Sequence, residues 1–159
     1  MKIVIINGSA RKGNTLTAIN AFIKGASGKN EIEVIQPDKL DISPCKGCGV
    51  CQCNKGCVDQ DDTNPTIDKI VAADMILFTT PVYWWGMSAQ LKLVIDKCYC
   101  RGLQIKGKKV GVMCSGVNLG TVVAASIVAE DYGSGSDSFY PRIYDTDLFD
   151  LYGSLWWYK

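Results

Sequence analysis

Eight residues near the start of the chain, Gly8 to Thr15, have the composition of an anion-binding loop. They lie between an apolar run and a segment of helical period, an arrangement in which backbone N–H groups at a helix N-terminus meet an anion. Their spacing is that of the nucleotide P-loop at every place but one, because Asn14 stands where the phosphate-binding lysine belongs. The glycine pattern of dinucleotide-binding loops is also absent. We therefore predict a site for one terminal phosphate rather than for a triphosphate or pyrophosphate.

The donors predicted for this phosphate are two hydroxyls, an amide and a cation. They belong to Ser9, Thr15, Asn14 and Arg11, and Asn14 is also expected to cap the following helix. A hydrogen bond to a charged group contributes about 1.5–3 kcal/mol, whereas a helix dipole adds about 0.3–1 kcal/mol, so the directed donors should dominate. The alternative is an ordinary turn between a strand and a helix, in which Asn14 merely caps the helix.

A run of cysteines is the second feature that could carry chemistry. The spacing C-x2-C-x2-C-x5-C is formed by Cys45, Cys48, Cys51 and Cys57. Three cysteines at C-x2-C-x2-C can surround an iron–sulfur cubane if a fourth ligand lies nearby, and Cys53 could replace Cys57 in that role. A four-cysteine zinc site, free thiols, a disulfide and a thiol redox sensor are the alternatives.

Five segments have the composition of short strands and should position these loops. They are Ile3–Ile6, Ile32–Ile35, Met75–Thr79, Val110–Cys114 and Phe139–Tyr144. Thr80-Pro81 is expected to end the third strand, since proline cannot continue a central strand. Helical segments separate the strands, which predicts right-handed crossovers and a doubly wound, five-stranded parallel sheet with helices on both faces.

The predicted helices have recognisable starts. The first follows Thr15 and ends near Gly25 or Gly28, the second begins at Asn64 as cap with Pro65 next, the third is capped by Ser88, and the fourth covers Thr121–Glu130. The loops after three strands, Gly8–Thr15, Thr80–Ser88 and Ser115–Gly120, should then meet at one sheet edge, where open α/β sheets bind ligands. A phosphate loop beside an aromatic loop suggests a ligand with a phosphate and a flat ring. Tyr83 and Trp84 could stack on that ring, or with Trp85 could form a core or subunit contact.

Two motifs in these loops resemble those of the flavodoxin-like NADPH-dependent FMN reductases over roughly residues 1–120. One is I-N-G-S-x-R-x-G-N-T from Ile6, and the other is P-V-Y-W-x-x-x-S-A-x-L-K-x-x-I-D from Pro81. The resemblance implies FMN as cofactor, with Ala10 where the family usually has proline. It implies phosphate contacts from Ser9, Arg11, Gly13, Asn14 and Thr15, and isoalloxazine contacts from Pro81, Val82, Tyr83, Trp84 and Gly86, with Ser115 and Gly116 at the far edge.

The cysteine loop, followed by Val58-x-x-Asp61-Asp62, resembles that of the iron–sulfur flavoproteins, which share the same fold. This resemblance implies a [4Fe–4S] cluster on Cys45, Cys48, Cys51 and Cys57 that exchanges single electrons with FMN.

The length of 159 residues fits a single domain. The resemblance implies that this domain is flavodoxin-like over residues 1–159, with a Cys-rich insertion at about 37–64 and an aromatic tail at about 145–159. A net charge of +1 favours neither nucleic acid nor an anionic membrane. The N-terminal apolar run is too short for a signal peptide, so a cytoplasmic location is expected. The aromatic tail is expected to fold back on the domain or to form part of a contact in a homodimer or higher homo-oligomer.

The sequence thus predicts an FMN-dependent oxidoreductase. Electrons would pass from NAD(P)H or a protein donor to a small acceptor such as a quinone or free flavin, with a ferredoxin-like partner if a cluster is present. The flavin would carry the chemistry, which explains how a chain without histidine could still be an enzyme. Two alternatives remain: a flavodoxin- or ferredoxin-type electron carrier without turnover of its own, and a redox sensor acting through the cysteine loop.

Overall fold

Strands and helices alternate along the chain. The computed structural model describes residues 1–84 and 86–116, together with the backbone of 123–125. The strands are β1 (Lys2–Asn7), β2 (Glu31–Ile35), β3 (Met75–Pro81), β4 (Lys109–Ser115) and β5 (Val123–Ala125). The helices are α1 (Asn14–Ala26), α2 (Thr63–Ala72), α3 (Ala89–Lys97) and α4 (Gly102–Ile105). Short 3-10 turns cover Pro37–Lys39 and Cys98–Arg101. No helix within these described ranges is long and apolar enough to cross a membrane.

The described strands form one sheet in the order β2-β1-β3-β4-β5. The first four are parallel, with β1 pairing both β2 and β3 and with β3 pairing β4. The predicted doubly wound α/β fold is therefore confirmed. The fifth described strand departs from the prediction, because Val123–Ala125 runs antiparallel to β4. These three residues fall inside the segment predicted as the fourth helix. The other residues of that segment, the predicted strand Phe139–Tyr144 and the tail at 145–159 lie outside the described residues.

Helices cover both faces of the sheet, as the alternation of side chains along β1 requires. Val4 and Ile6 pack with residues of α2 and α3 in one buried cluster, whereas Ile3 and Ile5 pack with Ile19 of α1 in the other. A fully buried aliphatic side chain contributes about 1.5–3 kcal/mol, so these two clusters are the main source of stability for the sheet. The rigid sheet fixes the strand ends from which the loops leave.

The third strand is longer than predicted and includes Pro81, which pairs with Ser115 of β4. On its other side β3 pairs with β1 only as far as Asn7. Backbone N–H groups along a strand point alternately to its two sides. Because Val82 donates its N–H to Ser115, the missing N–H of Pro81 faces the side where β1 has already ended. Proline therefore removes no ladder hydrogen bond here.

The start of α2 also differs from the prediction. The helix begins at Thr63 with Asp62 at the cap position, so Asn64 lies inside its first turn and is not the cap. The Asn64 side chain instead bonds the backbone of Cys57, accepting its N–H at 2.8 Å and donating to its carbonyl at 2.8 Å. Pro65 is tolerated because N–H groups of a first helical turn have no intrahelical partner.

Candidate functional site

The loops that follow β1, β3 and β4 meet at one edge of the sheet, as predicted. The N–H of Gly8 donates to the carbonyl of Thr79 at 2.8 Å, and the N–H of Val82 donates to the carbonyl of Ser115 at 2.7 Å. The hydroxyl oxygens of Thr15 and Ser115 are 2.6 Å apart. The sheet therefore brings segments distant in sequence into one continuous site.

Gly8 allows the first loop to approach the other two closely. A Cβ atom at this position would lie 2.7 Å from the Ser88 hydroxyl, 2.9 Å from the Leu91 Cβ and 2.9 Å from the Thr79 carbonyl oxygen. Real Cβ atoms do not come that close to backbone oxygen, so any larger residue would push the loop away from α3. The glycine that opens the predicted phosphate loop thus fixes the position of that loop.

The loop after Gly8 folds on its own polar side chains. The buried Asn7 side chain accepts the N–H of Ser9 at 3.0 Å, and the Ser9 hydroxyl accepts the N–H of Arg11 at 3.3 Å. Asn7 and Ser9 are both buried, so these side-chain hydrogen bonds are shielded from water. Sequence reasoning named Ser9 and did not assign a role to Asn7. An asparagine directly after a buried strand is the sequence feature that could have identified it.

Helix α1 begins at Asn14, so the predicted cap role of Asn14 is wrong. The cap position is Gly13, in an extended conformation with φ −142°, and no side chain caps the helix there. Asn14 is exposed, whereas Thr15 is buried. The reason is geometric: the cap residue must be extended, and the chain turns into the helix one residue after Gly13. An uncapped first turn leaves its backbone N–H groups available to an anion.

The aromatic loop is a tight turn closed by Tyr83 and Gly86. The two residues exchange backbone hydrogen bonds of 2.9 and 3.1 Å. Trp84 between them has a positive φ of 46° and its side chain is 94 % exposed. A positive φ is strained for a bulky residue, and such strain is concentrated at functional sites. Trp85 lies outside the described residues.

Arg11 and Tyr83 connect the phosphate loop to the aromatic loop. The guanidinium carbon of Arg11 lies 5.9 Å from the centroid of the Tyr83 ring, at the outer limit of a cation–π contact. Both side chains are exposed. The predicted phosphate cation and the predicted ring platform are therefore neighbours, as one ligand with a phosphate and a flat ring would require.

Ser88 closes the aromatic loop and caps α3, as predicted. Its hydroxyl accepts the N–H of Leu91 at 3.2 Å. Its own N–H donates to the Thr80 hydroxyl at 2.9 Å, so the two ends of the loop are joined directly. The aromatic loop is therefore held at both ends by buried hydroxyl groups.

The loop that follows β4, here called the β4 loop, lies against the phosphate loop and the aromatic loop. Ser115 contacts the phosphate loop through Thr15, and a Cβ atom at Gly116 would lie 4.0 Å from that of Val82. The roles predicted for Ser115 and Gly116 at the edge of an isoalloxazine ring stay predictions. The hydroxyl bond to Thr15 was not predicted, and nothing in the sequence pairs these two residues.

The cysteine loop is described in full, and its four predicted ligands differ in exposure. Cys45 and Cys48 are exposed, whereas Cys51 and Cys57 are half-buried and pack against the α2–α3 side of the core. Among the described residues, no three histidine, cysteine, aspartate or glutamate side chains surround a point where a metal ion could sit. The donor types fit an iron–sulfur cluster, and binding one would require the four thiols to gather more closely than they do here.

A buried lysine lies beside this loop. Lys97 ends α3 with its side chain only 1 % exposed, and its ammonium is 2.5 Å from an Asp59 oxygen and 3.4 Å from the Cys57 sulfur. Burial acts to lower the pKa of Lys97, but the bonds to Asp59 and Cys57 raise it above its ordinary value. The hydrogen bond from Lys97 lowers the pKa of Asp59 in turn. The pair is therefore ionised.

Sequence reasoning missed Lys97. Leu91, Val94 and Lys97 form the buried face of α3, so a lysine occupies the place where the apolar pattern would continue. That interruption was the available sequence feature. The partner, Asp59, lies 38 residues away and could not have been found from the pattern.

Two further cysteines lie under the loop. Cys98 and Cys100 are buried, and the Cys100 carbonyl accepts the N–H of Gly56 at 3.2 Å. Burial raises the pKa of Cys98 to about 12, and burial together with the nearby Cys57 and Cys51 thiols raises the pKa of Cys100 to about 11. Both are protonated thiols at neutral pH and act as small apolar core residues.

Comparison with known proteins identifies the family. The family model for NADPH-dependent FMN reductase matches residues 1–130. An iron–sulfur flavoprotein of Methanocaldococcus jannaschii is 32 % identical over 122 residues, which is 74 % of this chain and 63 % of the relative. An iron–sulfur flavoprotein of Methanosarcina thermophila is 37 % identical over 99 residues, which is 61 % of this chain and 52 % of the relative. The chain thus spans roughly half to two thirds of the length of these relatives.

Solved structures agree on the fold. An NAD(P)H:quinone oxidoreductase from Methanothermobacter marburgensis superposes with a TM-score of 0.58 at 20 % identity, covering 73 % of this chain and 66 % of that one. The family match extends over the phosphate, aromatic and β4 loops, the cysteine loop and the four parallel strands. The chain belongs to the NADPH-dependent FMN reductase family.

Proposed function

We propose that this chain is an FMN-dependent oxidoreductase that takes electrons from NAD(P)H and passes them to a small acceptor such as a quinone or free flavin. The observation that carries the proposal is the joining of the phosphate loop to the β4 loop by the Thr15–Ser115 contact, with the aromatic loop beside them. The family match supports the same cofactor and electron donor. When bound, FMN would supply the hydride and electron transfer chemistry.

The phosphate end of the site would bind the FMN phosphate. The donor set consists of the Ser9 and Thr15 hydroxyls and the N–H groups of the first turn of α1, where Gly13 leaves the helix uncapped. Before any ligand arrives, Asn7 accepts the Ser9 backbone N–H, the Ser9 hydroxyl donates to the Arg11 carbonyl at 3.2 Å, and Ser115 contacts the Thr15 hydroxyl. The chemistry of these groups fits a phosphate dianion, and the Ser9 hydroxyl would exchange its bond to Arg11 for one to the phosphate.

The ring end of the site would bind the isoalloxazine. Pro81 and Val82 adjoin Ser115 and Gly116, and the Tyr83–Gly86 turn follows directly in the chain. Backbone groups of these loops would orient the ring, and the Tyr83 ring would exclude water from one side of it. These groups lie beyond the carboxyl ends of parallel strands, where open α/β sheets bind ligands.

We further propose that a [4Fe–4S] cluster, bound by Cys45, Cys48, Cys51 and Cys57, is a second redox group of this protein. The donor set supports it: four thiols with iron–sulfur spacing, of which one accepts a hydrogen bond from a buried ammonium. Several relatives are named iron–sulfur flavoproteins. The cluster would let a two-electron flavin exchange single electrons with a ferredoxin-like partner.

We also propose that the protein forms a homodimer that covers Trp84. An indole that is 94 % exposed beside the site is the observation that favours a contact surface. Sedimentation velocity of wild type and Trp84→Ser measures this, and a monomeric wild-type protein would contradict it.

The experiment that tests the enzymatic function is steady-state oxidation of NADH and NADPH by FMN-loaded protein with a benzoquinone acceptor. Turnover well above that of the same concentration of free FMN is the expected result. Absence of turnover with both nicotinamides, combined with rapid reduction by a reduced ferredoxin, would favour the electron carrier instead. The net charge of +1 gives that alternative less support, because carriers of this kind tend to be acidic.

A further inference from the structure

Lys97 is buried to an extent that lysine rarely reaches. Its side chain is 1 % exposed, and lysine is almost never fully buried unless it is paired. It lies at the end of α3, the helix whose other end is capped by Ser88 of the aromatic loop. One helix therefore reaches from the proposed flavin site to the cysteine loop.

Several charges lie near Lys97, whose ammonium also helps to lower the pKa of the Asp61 carboxyl. Asp59 pairs with both Lys97, at 2.5 Å, and Lys46, at 3.3 Å, so two ammonium groups share one carboxylate. Lys46 is exposed and solvated, whereas Lys97 is buried. The Lys97 ammonium is also 3.4 Å from the Cys57 sulfur, and the same sulfur lies 3.7 Å from an oxygen of the Asp59 carboxylate. The ammonium favours negative charge at that sulfur and the carboxylate opposes it, so the two side chains act in opposite directions.

We propose that Lys97 is a positioning residue that places a fixed positive charge at the Cys57 sulfur and thereby raises the reduction potential of the iron–sulfur cluster in this loop. The inference rests on the cluster that the proposed function includes. Lys97 neither gains nor loses a proton in this role. Reduction of the cluster adds one electron, supplied by the flavin or by an external reductant such as dithionite.

The direction of the effect follows from charge. A [4Fe–4S] cluster with four thiolate ligands is an anion, and adding an electron makes it more negative. A nearby cation stabilises the reduced form more than the oxidised form, and the effect is strong where water is excluded. A hydrogen bond to a ligating sulfur acts in the same direction. Removing the charge of Lys97 should therefore make the cluster harder to reduce.

A purely structural role for the ion pair makes a different prediction. Lys97→Met and Asp59→Asn both break the pair, so a loop that merely loosens should change the potential in the same direction in both variants. The electrostatic role predicts opposite directions. Lys97→Met removes the cation and lowers the potential, whereas Asp59→Asn leaves the cation without its carboxylate and raises it.

The experiment is a dithionite titration of anaerobically purified holoprotein, followed by the cluster absorbance and by electron paramagnetic resonance. Lys97→Met should lower the ratio of reduced to oxidised cluster at least tenfold at a fixed potential, which is about 59 mV for a one-electron couple. Asp59→Asn should raise the ratio of reduced to oxidised cluster at the same potential. Lys92→Met is the matched control, because Lys92 lies on the same helix and pairs with Asp96 on its exposed side. It should leave the potential unchanged.

Shifts in the same direction for Lys97→Met and Asp59→Asn, or no shift in either, would overturn the inference. If Lys97→Met fails to fold, Lys97→Arg and Asp59→Asn test the role instead. Lys97→Arg keeps the positive charge and should leave the reduction potential near that of wild type. An unchanged or lower reduction potential in Asp59→Asn would overturn the role.

Iron analysis of wild type separates the failure of the cluster proposal from the failure of this inference. Protein without iron would remove the cluster and this inference together, whereas a cluster with an insensitive potential would remove this inference alone.

Discussion

The hydroxyl oxygens of Thr15 and Ser115 lie 2.6 Å apart although 100 residues separate them in the chain. One belongs to the first turn of α1 and the other to the last position of β4. Their contact holds the predicted phosphate loop against the loop that should bind the edge of the flavin ring. It therefore fixes the Thr15 hydroxyl, a predicted phosphate donor, against the loop predicted to bind the ring edge.

Ser115→Ala should weaken FMN binding and leave riboflavin binding nearly unchanged. The variant frees the Thr15 hydroxyl from its partner, so a donor to the phosphate loses its orientation, whereas riboflavin has no phosphate to bind. Hydrogen bonds to charged groups contribute about 1.5–3 kcal/mol, which predicts a loss of roughly 10- to 100-fold in FMN affinity. Quenching of flavin fluorescence on titration with protein measures both constants.

Ser27→Ala is the control for Ser115→Ala. Ser27 is exposed at the opposite end of α1, so its hydroxyl cannot reach the phosphate loop. Equal losses of FMN and riboflavin affinity in Ser115→Ala would contradict a role at the phosphate and indicate a general loss of structure.

Gly8→Ala should destabilise the protein, because its methyl group would lie 2.7–2.9 Å from Ser88, Leu91 and Thr79. Overpacking of this kind costs typically about 1–3 kcal/mol. Urea unfolding followed by circular dichroism measures the loss of stability.

The control is Gly13→Ala in the same loop. A methyl group at position 13 meets nothing within 4 Å, and the φ of −142° at Gly13 suits any residue. Equal stabilities for the two variants would show that the loop does not approach α3 as described.

Asn64→Ala should loosen the cysteine loop at Cys57. The variant removes the acceptor for the Cys57 N–H and the donor to its carbonyl, two bonds of 2.8 Å each. Leaving these half-buried backbone groups without partners should lower the free energy of unfolding by about 1–3 kcal/mol. Faster alkylation of Cys57 by iodoacetamide, followed by mass spectrometry, reports the local change. Asn20→Ala, at an exposed position on α1, should change neither quantity.

Asp61 should make stability depend on pH in the acid range. Burial acts to raise the pKa of this carboxyl, but hydrogen bonding by Thr63 and by the backbone N–H of Ser43 lowers it from 3.8 to about 2. The folded state therefore binds the proton more weakly than the unfolded state. The stabilisation is complete above pH 4 and is lost as the pH falls toward 2. For a half-buried group it amounts to about 1 kcal/mol, because solvent screens part of the effect.

Urea unfolding of wild type and Asp61→Asn at pH 6 and pH 2.5 checks this dependence. Wild type should be the more stable at pH 6, and the difference should shrink at pH 2.5. Asp38→Asn, at an exposed carboxyl, controls for the removal of one negative charge. A difference that is the same at both pH values would contradict the predicted role of Asp61.

The sequence predicted the elements whose pattern is local. Apolar runs marked β1 to β4, and Ser88 marked the start of α3, because buried strands and capped helices are determined mainly by neighbouring residues. The two asparagine caps, Asn14 and Asn64, were wrong for one reason. Several neighbouring residues in each loop are of a type that can cap a helix. The backbone conformation of the loop decides which of them occupies the cap position, and here these are Gly13 and Asp62.

The contacts that define the site could not be predicted, since they join residues far apart in the chain. Thr15 meets Ser115 only because β1 and β4 lie on either side of β3 in the sheet. Lys97 meets Asp59 because the cysteine loop lies beside the end of α3. Each residue alone has an ordinary alternative role, as an exposed hydroxyl or a solvated surface charge. The sheet order and the path of the cysteine loop supply the missing information.

The measurement that tests the central claim most directly is the visible absorption spectrum of protein purified without oxygen, before and after addition of FMN. The proposal predicts two resolved flavin bands, already present or gained on addition, that stay with the protein through gel filtration. A broad brown absorbance beneath them that bleaches on reduction would add the cluster. A colourless protein that also fails to take up added FMN would contradict the assignment of the edge formed by Gly8–Thr15, Pro81–Gly86 and Ser115 as a flavin site.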